Sequence, residues 1–258
     1  MQPFHFGITL RSVNASRMIS ELQFEPAPGL KLSVDEVQLW RVDLERVAPG
    51  EGRWRSVLSP DEVARANRFH FARDRQNFTA TRALLRILLG AYLDWNPKAI
   101  PFRYGEREKP LLDAPLAGQV EFNVSHSGAG ALIAFARARG VGVDIEQVRN
   151  GVDHETLAQR YFSRAEQKQL AALPPEERCR GFFRCWTRKE AYIKAHGAGL
   201  SLPLSAFDVS LAPGEKNALL ATRPDGGEAA LWSLREVEVP EGYEAALCVQ
   251  GSGWVLHD

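Results

Sequence analysis

Residues Arg184 to Leu200 read RCWTRKEAYIKAHGAGL. The run is rich in helix formers, and Gly197 and Gly199 give it places to stop, so the spacing predicts a helix ending near the glycines. Glu190 and Lys194 stand four residues apart and therefore share one helical face. In isolation such a pair is a solvated ion pair worth roughly 0.2–0.5 kcal/mol. Whether it is more than that depends on what the rest of the chain brings to the same face.

Working outward, the helix extends back to Gly181 as GFFRCWTRKEAYIKAHG. It is preceded by FSRAEQKQLAAL, a helix opened by a capping box from Ser163 to Glu166, and before that by the strand VGVDIEQV at Val141 to Val148. The same order occurs earlier in the chain. VQLWRVDL from Val37 is a strand, and SPDEVARANRF has Ser59 as N-cap, Pro60 at the first helical position and Glu62 completing a capping box. A longer helix follows from about Asp74, with Phe78, Leu84, Leu85, Leu88 and Leu89 as its apolar stripe and Arg73, Arg75, Arg82 and Arg86 as basic positions, ending at Asn96 and Pro97.

The first half continues with a short strand at Phe102 to Tyr104 and the apparent hairpin VEFNVSHSGAGALIAFAR. Its arms are Val120 to Val124 and Ala131 to Ala136, and its turn holds Ser125, His126, Ser127, Gly128 and Gly130. Strands near Phe207 to Leu211, Ala230 to Val239 and Ala245 to Val249 close the chain. The pattern predicts an α+β fold of two similar halves side by side, which would leave a cleft between them as a usual place for a ligand and its active site. Residues 1–33, weakly periodic and ending Pro/Gly-rich, form a loosely packed leader. The first half is 34–138, and the second, 139–258, carries the candidate metal site.

The chain has 258 residues, 45% of them hydrophobic, which suits a folded soluble protein and excludes disorder as its main state. Lys plus Arg and Asp plus Glu both total 32, so net charge argues for neither a nucleic-acid nor a membrane partner. The three cysteines Cys179, Cys185 and Cys248 have no metal-ligand spacing, and neither a basic region followed by an apolar core at the start nor a span-length apolar run is read, so a cytoplasmic protein is expected.

Asp144 and Glu146 are two apart on a strand and so project from one face. Two like charges about 5 Å apart at an effective dielectric of about 20 repel by roughly 3 kcal/mol, so the pair needs solvent, a proton or a cation. One reading is a wet strand face. The other is a hard cation such as Mg²⁺, with Glu190 as a third oxygen donor and substrate phosphate completing the shell. His126, between two serines and before a glycine, reads either as a hydrogen-bonded turn residue or as a donor to phosphate.

GVDIE at Gly142 to Glu146, W-x-x-K-E-A-x-x-K from Trp186 to Lys194 and the G-x-G-L-S that follows resemble the paired signature of the 4′-phosphopantetheinyl transferases. FNVSHS at Phe122 to Ser127, the YG…KP loop at Tyr104 to Pro110, Arg68 with Phe69, and SLPLSAF extend the resemblance from about Ser59 to Phe207. The chain is similar to the larger, monomeric type that activates peptide and polyketide synthetases, whose two pseudo-symmetric halves match the duplication above.

This resemblance implies transfer of the 4′-phosphopantetheine arm from coenzyme A to a serine hydroxyl of an apo acyl, peptidyl or polyketide carrier protein, releasing adenosine 3′,5′-bisphosphate. By motif, Asp144, Glu146 and Glu190 would hold Mg²⁺, Glu190 would also accept the serine proton, and Lys194 would meet the phosphate oxygens and stabilise the transition state. Lys189, rotated off that face, is expected to be a helper or a structural ion-pair partner. Ser125 and His126 would face the coenzyme A phosphates, and Arg65, Arg68, Arg82 and Lys109 its 3′-phosphate.

Two positions depart from the family pattern. Glu108 stands where glycine is usual, and Glu62 stands where a basic residue is frequent, which would shift phosphate binding onto Arg65 or Arg68. Two rival classes fit the same carboxylates: a metal-dependent phosphohydrolase acting on coenzyme A, and a non-catalytic carrier-binding or coenzyme A-binding module. Val152, Leu157, Tyr161 and Phe162 are either the surface on which a helical carrier docks or plain core.

Overall fold

The computed structural model describes residues 9–10, 18–19, 22–23, 29–49, 51–105, 109–197, 202–215 and 217–258. Glu108 and Gly199 lie outside them. Helices and strands are mixed along the chain, an α+β fold, and the residues group into two compact units. One comprises Met1–Val120, Ala129–Ala138 and Val255–Asp258, and the other Glu121–Gly128 and Arg139–Trp254.

In the first unit, β1 (Thr9–Leu10) pairs antiparallel with β3 (Leu22–Gln23), and β2 (Met18–Ile19) runs parallel to Arg41 and Val42 of β4 (Glu36–Asp43). The N-terminal segment thus contributes strand to the sheet, and near its end Leu32 is buried and Leu30 N–H donates to Ala91 O at 3.0 Å. Six consecutive residues of β4 are buried, which is why its sequence runs apolar without clean alternation. The two polar ones carry partners inside: Gln38 donates to Lys31 O at 2.7 Å, and Arg41 meets Asp258 at 2.6 Å.

Between β4 and Ser59 lie α1 (Leu44–Val47) and α2 (Glu51–Arg55), each too short to show a helical period in sequence. Asp43 caps α1, and the buried Trp54 of α2 donates to Val47 O at 2.8 Å. Next come α3 (Pro60–Ala66) and the 22-residue α4 (Ala72–Leu93), which ends at Asp94 in a left-handed conformation with φ 51°, two residues before the expected Asn96. After the antiparallel pair β5 (Phe102–Tyr104) and β6 (Pro110–Leu112), the chain leads to β7 (Glu121–Ser127), which belongs to the second unit. It then returns as β8 (Gly130–Ala136), antiparallel to β4.

The second unit takes β7 together with β9 (Val141–Gln147), α5 (His154–Tyr161), α6 (Arg164–Ala172) and α7 (Pro175–His196). Its remaining strands are β10 (Phe207–Val209), β11 (Leu219–Thr222), β12 (Trp232–Glu236) and β13 (Tyr243–Gln250). The last strand of the chain, β14 (Val255–His257), goes back to the first unit and runs parallel to β4. Strands β12, β13 and β9 form an antiparallel sheet in that order, and α7 packs on β13 and β9.

Phe182, Cys185, Tyr192, Phe207, Leu234, Ala246 and Cys248 fill the core beneath α7. The short helix α5, unrecognised in sequence, carries Leu157 and Tyr161, which with Val152 are partly buried against this core, while Phe162 is fully in it. Tyr161 meets the edge of Trp186 at 5.8 Å.

The duplication also extends to buried charge. Glu62, the capping-box carboxylate of α3, accepts from Ser59 N–H at 3.0 Å and from Arg86 Nε on α4 at 2.5 Å, and Arg86 in turn donates to Pro97 O and Ile100 O. In the second unit Glu166, the capping-box carboxylate of α6, accepts from Ser163 N–H at 2.8 Å and pairs with Lys189 of α7 at 2.7 Å, while Lys189 donates to Leu204 O and Phe207 O. In each copy a buried cation of the long helix joins the cap of the short helix to the carbonyls of the segment that follows. Lys189, fully buried, is therefore a structural ion-pair partner. Glu62 is the buried counterion of Arg86.

Candidate active site

The first glycine of GVDIE has a packing reason. A Cβ at Gly142 would stand 2.2 Å from Ala191 O and 2.3 Å from Ala195 N, both in the backbone of α7. Only glycine lets helix and strand approach this closely. The approach brings Lys194, on the helical turn after Ala191, within reach of Asp144, two residues along β9.

Lys194 Nζ lies 2.6 Å from Asp144 Oδ1, 3.2 Å from Val143 O and 3.2 Å from Ser125 Oγ. The ammonium expected to be available to phosphate therefore sits on the strand carboxylate. Asp144 is 4% exposed, and its Oδ1 also accepts from Ser125 Oγ at 2.8 Å. Its second oxygen, Oδ2, is buried and has no hydrogen-bond partner. A buried, unsatisfied carboxylate oxygen is costly, and it is the kind of atom a hard cation satisfies.

Glu146 projects from the same strand face and accepts from Ser127 Oγ at 2.7 Å. Burial pushes its carboxyl above the ordinary glutamate value, opposed by the Ser127 hydroxyl and reinforced by the neighbouring Asp144 charge. Glu190 is half-buried on α7. Among the described residues, no three His, Cys, Asp or Glu groups are gathered closely enough to hold a metal ion. Asp144 and Glu146 thus share a face and fit an oxygen-seeking cation, whereas Glu190 is not assembled with them into one cluster.

Ser125, His126 and Ser127 lie on β7 and not in the turn, which is the link Gly128–Ala129. Strand alternation sends the two serines toward β9 and leaves His126 exposed on the other side. Ser125 is buried and engaged with Asp144 and Lys194. Ser127 escaped sequence assignment, although its period-two spacing with Asn123 and Ser125 was the available signal.

The remaining basic candidates belong to the first unit. Arg82 is enclosed: its guanidinium lies 3.6 Å from Glu62 and stacks near the rings of Phe78, Phe102 and Tyr104, and burial lowers its pKa. Arg65 is half-buried and shares the Phe78 ring with it. Arg68 is exposed, and Lys109 accepts from Gly105 N–H through its carbonyl, closing the loop between β5 and β6.

Residues 140–248 match the model of the 4′-phosphopantetheinyl transferase superfamily, and residues 48–137 match that of the 4′-phosphopantetheinyl transferase N-terminal region. The chain is 40% identical over 238 residues to the 4′-phosphopantetheinyl transferase HetI of a Nostoc species, covering 92% of this chain and 97% of that protein. It is 31% identical over 196 residues to the 4′-phosphopantetheinyl transferase Sfp of Bacillus subtilis, covering 76% of this chain and 84% of that one.

Proposed function

This chain belongs to the 4′-phosphopantetheinyl transferase family, and from that premise we propose that it modifies carrier proteins with coenzyme A as the donor. The serine Oγ of an apo acyl, peptidyl or polyketide carrier forms a bond to the phosphorus that bears the pantetheine arm. The pyrophosphate P–O bond breaks, and adenosine 3′,5′-bisphosphate leaves with the electron pair. The observation that carries this assignment is the buried Asp144 carboxylate, held on one oxygen by Lys194 and Ser125 and left without a hydrogen bond on the other.

Asp144 and Glu146 would hold Mg²⁺, with Glu190 joining them from α7. When bound, that ion neutralises charge on the pyrophosphate. Glu190 accepts the serine proton as the Oγ–P bond forms. Lys194 moves from Asp144 toward the phosphate oxygens and stabilises the charge that develops there. His126, exposed beside Ser125, donates to the coenzyme A phosphates, and Arg65, Arg68, Arg82 and Lys109 hold its 3′-phosphate. The protein acts as a monomer in the cytoplasm. No helix among the described residues is long and apolar enough to cross a membrane.

Incubation with coenzyme A, Mg²⁺ and a panel of apo fatty-acid, peptide and polyketide carriers should add the mass of one phosphopantetheine group to at least one of them. No gain on any carrier, with coenzyme A still bound, overturns the proposal. Adenosine 3′,5′-bisphosphate released without any carrier would replace it with hydrolysis.

A further inference from the structure

β9 is the outer strand of its sheet, and an outer strand presents a row of backbone N–H groups that need acceptors. Side chains of β7 take them in register. Val143 N–H donates to Asn123 Oδ1 at 3.0 Å, Ile145 N–H to Ser125 Oγ at 3.3 Å and Gln147 N–H to Ser127 Oγ at 3.1 Å. The steps of two match on both strands, so the three side chains act as rungs between strands that run the same way. A hydroxyl that accepts from a backbone N–H still has its own proton to give. Ser125 directs it to Asp144 and Ser127 directs it to Glu146.

We propose that Ser127 is a positioning residue for Glu146: anchored by the Gln147 N–H, it fixes Glu146 Oε2 and thereby the plane in which the other carboxylate oxygen meets a divalent cation. The inference rests on the metal role of Glu146 proposed above. A carboxylate on a flexible side chain has several rotamers, and a hydrogen bond from a neighbouring group is a general means of selecting one for a metal. Ser127 is itself held from behind. Gly128 follows it at φ +58°, where a Cβ would lie 2.5 Å from Gln147 Oε1 and 2.8 Å from the Tyr243 hydroxyl, so the end of β7 is packed tightly against β9 and β13.

The alternative is that Ser127 only seals the strand edge, in which case its loss affects stability and leaves the cation untouched. Mn²⁺ serves as the probe, titrated into the full chain by calorimetry or electron paramagnetic resonance, with thermal unfolding measured alongside. Ser127→Ala should weaken Mn²⁺ binding by about tenfold, the lower end for outer-shell partners of metal ligands. Ser127→Thr, which keeps the hydroxyl, should retain parent affinity. In a Glu146→Ala background, Ser127→Ala should change nothing further, because its effect passes through Glu146.

Ser127→Cys, similar in shape but a weak donor, must weaken binding in the same direction and stands in should Ser127→Ala not fold. A Ser127→Ala protein that binds Mn²⁺ like the parent overturns the inference alone, as does an effect that persists undiminished without Glu146. A parent chain that does not bind Mn²⁺ overturns the inference together with the metal role on which it rests.

Discussion

Replacing Gly142 by alanine tests the geometry on which the site depends. The new methyl would stand 2.2 Å from Ala191 O and 2.3 Å from Ala195 N, and since both atoms belong to the helix backbone, no rotamer change relieves the clash. Restoring ordinary contact at 3.4 Å requires α7 and β9 to separate locally by about 1.2 Å, the difference between 3.4 and 2.2 Å. That opening stretches the 2.6 Å Lys194–Asp144 contact and the 3.2 Å bond to Val143 O beyond hydrogen-bonding range. Overpacking of this kind costs about 1–3 kcal/mol in stability, and a misplacement of about 1 Å in a catalytic group costs about 100-fold in rate. The assay is carrier modification followed by intact-mass spectrometry, with urea unfolding in parallel. Gly52→Ala is the control: that glycine lies within α2 with open space around it, and alanine should stabilise by roughly 0.5–1 kcal/mol. A Gly142→Ala enzyme with parent kcat/KM and parent unfolding midpoint would refute the close-approach argument.

Lys189→Met leaves Glu166 buried without its cation and should lower unfolding free energy by about 3–5 kcal/mol in urea titrations, although Lys189 touches no substrate. Lys194→Ala should reduce kcat by about 10²–10³-fold in the same mass assay, with coenzyme A binding measured separately to show that the chain is folded. Glu146 has a folded-state pKa above its ordinary value, so its proton is held more tightly in the folded chain. Its contribution to stability is complete below the ordinary glutamate value and is lost as pH rises through the raised one. In metal-free buffer the stability of the parent relative to Glu146→Gln should therefore fall across that window, and a difference that stayed flat or rose would contradict the assigned shift.

Much of the architecture is legible in local pattern. Both capping boxes, the long helices and the GVDIE strand follow from spacing and composition because caps and periods are properties of neighbouring residues. The polar run Ser125 to Ser127 misleads, since serines and histidine before glycine resemble a turn. Their side chains meet carboxylates and backbone N–H groups of β9, which only that neighbouring strand reveals. The ion pair of Glu62 is hidden for the same reason: its partner Arg86 lies 24 residues away on another helix. Lys194 pairs with Asp144 across 50 residues, and no helical spacing discloses that. Rotation takes Lys189 off the face of Glu190 but leaves it open between a helper and a structural ion-pair partner, and only its burial against Glu166 decides for the second.

The passage of β7 into the second unit, between segments that belong to the first, has a consequence for inheritance. Residues 139–258 encode Asp144, Glu146, Glu190 and Lys194, yet the serines that hold the two strand carboxylates are encoded upstream, in 121–128. A gene crossover at the apparent midpoint would join one protein's carboxylates to another protein's serines. Chimeras of relatives should therefore work when the exchanged block takes in β7 and fail more often when the junction falls just after it. The second unit is one compact body in space and two separate segments in sequence.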